Sequence, residues 1–169
     1  MTSVISSSFE LIRDHYWLKH PNVVEVIPYN GRTFLSKYER VDAYLTDELI
    51  QKHLDKKVII ATQIPMDADY FVIDYNGMEK DLFYHRVSKI LRKQGLNDFA
   101  AYESKTASHL HLYVSCGDIS AERREELGRI ISDKLEEKIQ KQWRIFPSSG
   151  LPEAYNILNI PYRLYAASQ

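Results

Sequence analysis

The stretch Phe99-Ala-Ala-Tyr-Glu-Ser-Lys-Thr-Ala-Ser-His-Leu-His-Leu-Tyr-Val114 decides the fold. It reads as a strand, a short polar turn and a second strand. In the second strand His109, His111 and Tyr113 alternate with Leu110, Leu112 and Val114. Side chains of a strand point to opposite faces in turn, so the apolar residues take one face and both imidazoles the other. Upstream, Phe71-Val-Ile-Asp-Tyr-Asn-Gly77 is an apolar strand that ends in Asp74 and Asn76 at the same two-residue spacing. With these strands as neighbours in one sheet, Asp74, Asn76, His109 and His111 form a small cluster on an open face. Such a cluster is a candidate metal, nucleotide or phosphate site.

Outward from that pair, Phe83, Val87, Ile90 and Leu91 recur at helical spacing, and Gly95 suits the left-handed residue that ends a helix over about 79–94. Ser120 opens a second helix running to about 141, with Leu127, Ile130, Ile131, Leu135 and Ile139 inward and a solvated Glu/Arg/Lys face. Asn156 to Tyr165 read as a last apolar strand, interrupted at Pro161. The order from residue 70 is β-α-β-β-α-β, a split βαβ arrangement with an antiparallel sheet and two helices on one face. The expected class is therefore α+β. Before it, Val23 to Tyr38 form two strands around Asn30-Gly31, the pair that a tight hairpin turn with positive φ demands. Thr46 caps a short helix, and Lys57 to Thr62 form a strand. The chain reads as one domain over 1–169, with an extension over about 1–67 and a core over about 68–165. The hairpin, or a ligand, is expected on the second face of the core sheet.

Composition narrows the function. The chain has 169 residues and a net charge of −1, so it is no polycation built for duplex binding. Its one cysteine, Cys116, excludes an internal disulfide and reads as a half-buried thiol. Residues 1–8 lack the basic and apolar regions of a secretory leader, and no run approaches the ~18 apolar residues of a membrane span. No membrane partner and a cytoplasmic location are the expectation. Twelve tyrosines and two tryptophans serve packing or, on the sharper reading, an aromatic stacking platform.

Asp74-x-Asn76 at the end of the first core strand, followed by Ser104-Lys105-Thr106-Ala107-Ser108-His109-Leu110-His111, resembles the archaeo-eukaryotic primase (primase-polymerase) superfamily over residues 68–165. Trp143-Arg-Ile-Phe-Pro147, then Tyr155-Asn-Ile-Leu-Asn-Ile-Pro161, resembles the end of such a domain. The whole chain also resembles a domain-of-unknown-function family of epsilonproteobacteria with no assigned activity. The primase resemblance implies His111 as the strand-borne histidine and Asp74 as the first acid, the two catalytic candidates. It implies Ser104, Lys105, Ser108, His109, His111 and Arg144 as nucleotide or phosphate ligands. Apart from the resemblance, His85 and Arg86 offer, with Arg144, further positive charge for a phosphate. Asp74, Asn76 and His111 are the implied metal set, and one divalent ion is the cofactor that this set admits.

The chain departs from the family at Asn76, where a second acid belongs, and near Arg144, where a third belongs. Two-metal phosphoryl transfer needs several anionic oxygens to hold two cations close together. The expectation is a degenerate domain that binds a nucleotide or single-stranded nucleic acid and does not polymerise. As an enzyme it would be a metal-dependent nucleotidyl or phosphoryl transferase. Two alternatives stand beside this: an RNA-binding module of RNA-recognition-motif type, which has the same element order, and a non-enzymatic module that binds a protein partner.

Overall fold

A computed structural model describes residues 9–168. The segment read above for a secretory leader lies outside the described residues. In chain order the elements are β1 (Tyr16–Lys19), β2 (Glu25–Tyr29), β3 (Arg32–Ser36), β4 (Tyr38–Val41), α1 (Asp47–Leu54), β5 (Ile60–Gln63), β6 (Tyr70–Tyr75), α2 (Lys80–Lys93), β7 (Phe99–Glu103), β8 (Leu110–Ser115), α3 (Ala121–Glu136), β9 (Trp143–Phe146), β10 (Ile157–Asn159) and β11 (Arg163–Ala167). A short 3-10 turn over Glu153–Tyr155 precedes β10.

The fold is α+β. Its main sheet has the order β11-β7-β8-β6-β9, with every neighbouring pair antiparallel. The element order β6-α2-β7-β8-α3-β9 is the expected split βαβ core. Leu110, Leu112 and Val114 point to the helix side, where they share one core with Phe83, Val87 and Leu91 of α2 and Ile131 and Leu135 of α3. Full burial of such side chains is worth roughly 1.5–3 kcal/mol each, which is why the period-2 and period-3.6 patterns agree on this face. Ser120 caps α3 by accepting from the Arg123 N–H, and Thr46 caps α1 by accepting from the Leu49 N–H. Asn30 and Gly31 carry the positive φ values expected of the hairpin turn, 49° and 73°.

Three expectations need correction. The fourth strand of the core is β9, not residues 156–165. That later segment splits at Pro161: β10 pairs with β5, and β11 pairs with β7 at the far edge of the main sheet. A proline has no N–H for a ladder, and here the chain crosses between sheets. Helix α3 also stops at Glu136, short of the expected 141.

The third correction concerns the other face of the main sheet. It is covered, and by more than a hairpin. A second sheet of order β10-β5-β1-β4 holds α1 against it through Ile50 and Ile60. Phe9, Ile64 and Leu158 pack on Val72, Ala100, Tyr102, Tyr113 and Phe146 of the main sheet. Tyr102 and Tyr113 are thus buried, and the open aromatic face that RNA-recognition-motif binding needs is absent among the described residues. No described helix is long and apolar enough to cross a membrane.

His53 ties α1 to this second sheet. The Ile60 N–H donates to its Nδ1 at 2.9 Å, and its Nε2–H donates to the Ile160 carbonyl at 2.6 Å. The Nδ1 must therefore stay unprotonated. Burial pushes its pKa from 6.5 down to about 4, against a smaller raising effect from the Ile160 carbonyl. The unfolded chain then takes up the proton first as pH falls. Stability is full above pH 6.5 and drops as pH falls from 6.5 to about 4, by about 3 kcal/mol from this one group. Urea titrations across that window should show the loss in the parent chain. A His53→Phe variant should show a flatter profile, set by the remaining groups.

Candidate functional site

The register of β6 builds the site. Asp74 stands directly opposite His111 of β8 on one side and Arg144 of β9 on the other. His111 in turn faces Tyr102 of β7. A single row, Tyr102–His111–Asp74–Arg144, thus crosses four strands. The row two residues deeper is apolar, with Phe146, Val72, Tyr113 and Ala100. The sheet face therefore grades from core to polar floor within one repeat of the pleat.

Above the polar row lies a cavity of about 690 Å³ between the two sheets. Asp74, Asn76, Ser104, Lys105, His109, His111 and Arg144, all marked by the sequence, line it together. Ser108 does not; its hydroxyl points to the Met78 sulfur at 3.7 Å. His85 and Arg86 sit on α2, behind the sheet, and do not line it either. The opposite wall was not legible in the sequence. It consists of Lys19, Lys37, Tyr38, Tyr155 and Asn159, with the Tyr38 hydroxyl donating to Asn159 Oδ1 at 2.7 Å. Strands β1 and β4 are four residues each and carry no periodic signal long enough to announce themselves.

The chemistry at the floor is restrained. His111 is buried and His109 half-buried, so the pair is not a free-standing open-face cluster. His111 Nε2 lies 3.4 Å from Asp74 Oδ1, too long for a strong hydrogen bond. The Asn76 amide meets the other Asp74 oxygen at 3.4 Å. Burial holds the His111 pKa below its ordinary value; Asp74 works against this and His109 with it. His111 is thus neutral near pH 7, and its buried Nδ1 has no hydrogen-bond partner among the described residues. Asp74 keeps unused capacity towards the cavity, while the unpartnered His111 Nδ1 is buried.

Asp74, Asn76 and His111 do come together as the metal reading requires. Yet among the described residues no three His, Cys, Asp or Glu side chains gather to hold an ion. One carboxylate, one imidazole and one amide, with Arg144 across the ladder from Asp74, do not fit a two-metal centre.

The polar turn is pinned from behind. Lys80, at the start of α2, donates to Glu103 Oε1 at 2.8 Å and to the Ala107 carbonyl at 2.9 Å. Arg163 of β11 bonds the other Glu103 oxygen, and together the two cations hold the Glu103 carboxyl below its usual range. The clamp fixes the turn that carries Ser104, Lys105 and His109.

Comparison with known proteins adds little about function. A family model, a domain of unknown function (DUF1882), matches residues 2–72. That span covers β1 to the first half of β6, where the sequence reading placed the family over the whole chain. No curated protein matches. Among solved structures, the polymerase domain from Mycobacterium tuberculosis ligase D in complex with DNA is similar at 15% identity, over 92% of this chain and 70% of that one, with a TM-score of 0.49.

Burial separates the two histidines by experiment. His111→Ala leaves a hole in the sheet floor and should cost roughly 1–3 kcal/mol in denaturant unfolding, while His109→Ala should stay within about 1 kcal/mol of the parent. Lys80→Ala should speed amide exchange at residues 104–109 while leaving the exchange of α3 unchanged.

Proposed function

We propose that the cavity between the two sheets binds a phosphate-bearing ligand, a nucleotide or a single-stranded nucleic acid, and does not polymerise it. One observation carries this. Four exposed cations, Lys19, Lys37, Lys105 and Arg144, line the cavity against a single carboxylate, Asp74, in a chain whose net charge is −1. Among the described residues none of the four is in an ion pair. Unpaired cations facing one cleft focus a positive potential there and attract anions.

The remaining walls suit the rest of a nucleotide. The volume is that of an ordinary small-molecule site. Tyr38 and Tyr155 offer ring faces, and Asn159 offers its side-chain amide. Asp74 can take a hydroxyl donor at the floor. Too few carboxylates gather for templated transfer, so binding without polymerisation is the coherent reading.

Fluorescence anisotropy with a labelled nucleoside triphosphate and a short oligothymidylate tests it. Binding should weaken with salt along a shallow slope, corresponding to about two or three phosphate contacts. The double variant Lys105→Ala/Arg144→Ala should bind at least about tenfold more weakly at unchanged melting temperature. Unchanged binding in that variant refutes the site. Primer extension with magnesium or manganese that Asp74→Ala abolishes refutes the non-polymerising reading.

A further inference from the structure

We propose that the groove beside β9 docks an extended acidic peptide of a partner protein, which adds as a strand to the free edge of the main sheet. The edge is β9 itself. The Asn76 N–H donates to the Gln142 carbonyl at 2.7 Å, which makes 76 and 142 a hydrogen-bonded pair. Such pairs alternate along an antiparallel ladder, so Arg144 and Phe146 turn their backbone groups to β6, while Trp143 and Ile145 turn theirs away. Outside the strand ladder, no backbone hydrogen bond among the described residues reaches the N–H or carbonyl of Trp143 or Ile145.

These free groups face a groove of about 1140 Å³, bounded by α3 and by β3 of the hairpin. Among the described residues the hairpin pairs with no other strand. Gly128 of α3 admits β9 closely here: a Cβ on it would stand 3.3 Å from Ile145 Cγ2. The four residues of β9 present an edge about 13 Å long, enough for a short added strand.

Charge selects the occupant. Arg32, Arg129, Lys141 and Arg144 line the groove, and none has an ion-pair partner among the described residues. Of the two acids there, Glu125 is engaged by the Ser149 N–H at 2.6 Å and by its hydroxyl at 3.0 Å. Glu125 keeps its charge in these bonds, so four cations face two carboxylates and the groove carries a positive excess. Leu35, 56% exposed, and half-buried Ile145 supply apolar contact for alternate side chains. Of the aromatic rings lining the groove among the described residues, Phe34, Trp143 and Phe146 are buried and Tyr155 alone is half-buried, so the groove offers one ring face and not the row of stacking faces that a nucleic acid strand uses. An alternating acidic and apolar strand matches the edge, the cations and the apolar contacts together.

The test is anisotropy on the full chain with three labelled synthetic peptides: acetyl-(Glu-Val)₃-amide, its (Lys-Val)₃ counterpart, and the Glu-Val peptide N-methylated at every residue. The acidic peptide should bind. The lysine peptide and the N-methylated peptide, which cannot pair with an edge, should each bind at least about tenfold more weakly. Arg129→Glu/Lys141→Glu, both exposed, should lose the acidic peptide by a similar factor and leave the nucleotide binding of the inter-sheet cavity intact. Equal binding of the N-methylated peptide overturns strand addition. Unchanged binding in the double variant overturns the groove. Oligothymidylate binding that the double variant abolishes overturns the peptide in favour of nucleic acid.

Discussion

Strand β6 lies between β8 and β9 in one register, and the polar row across the sheet exists only in that register. A slip of one residue would bring Ile73 or Tyr75 to the place of Asp74 and send the carboxylate into the helix-side core. The register is protected from both ends. Phe71, Ile73 and Tyr75 are buried against α2 and α3 on one face, and Val72 is buried under the second sheet on the other. At the rim, Gly77 closes the strand; a Cβ there would come within 2.6 Å of Gln142 Oε1 and closer still to the Tyr75 ring. The site is thus a by-product of two hydrophobic cores that agree on where Asp74 must point.

The second sheet turns this row into a cavity. It is assembled from both ends of the chain, since β10 completes a sheet begun by β1, β4 and β5. Its contribution is mostly charge and polar surface: Lys19, Lys37, Tyr38 and Asn159 face the floor across the gap. Because the cations stay unpaired while Asp74 alone carries negative charge, the cavity differs in sign from the chain as a whole.

The helices, the Asn30-Gly31 hairpin and the two-faced strand at His109–Val114 were legible because each has a period or a turn signal of its own. The cluster of Asp74, Asn76, His109 and His111 was legible for the same reason: i, i+2 spacing fixes a shared face. The burial of His111 was not, because the cover over its sheet face comes from distant segments: Phe9, Ile64 and Leu158 join one core with Tyr102, which stands opposite His111, and with Tyr113. Strand β9 was missed because four residues, Trp-Arg-Ile-Phe, are too few to show alternation against a background of apolar residues. The final segment misled because its apolar run continues across Pro161 while its pairing changes sheets. Lys19 and Lys37 were invisible for a further reason: nothing local distinguishes a lysine over a cavity from one in open solvent.

Chemical-shift mapping by ¹H–¹⁵N spectroscopy during titration with an unlabelled nucleoside triphosphate tests the phosphate cavity most directly. Shifts concentrated at Lys19, Lys37, residues 104–111 and Arg144, and fading as salt is raised, are expected. Shifts that leave these residues untouched, or that gather behind the sheet on α2, would contradict it.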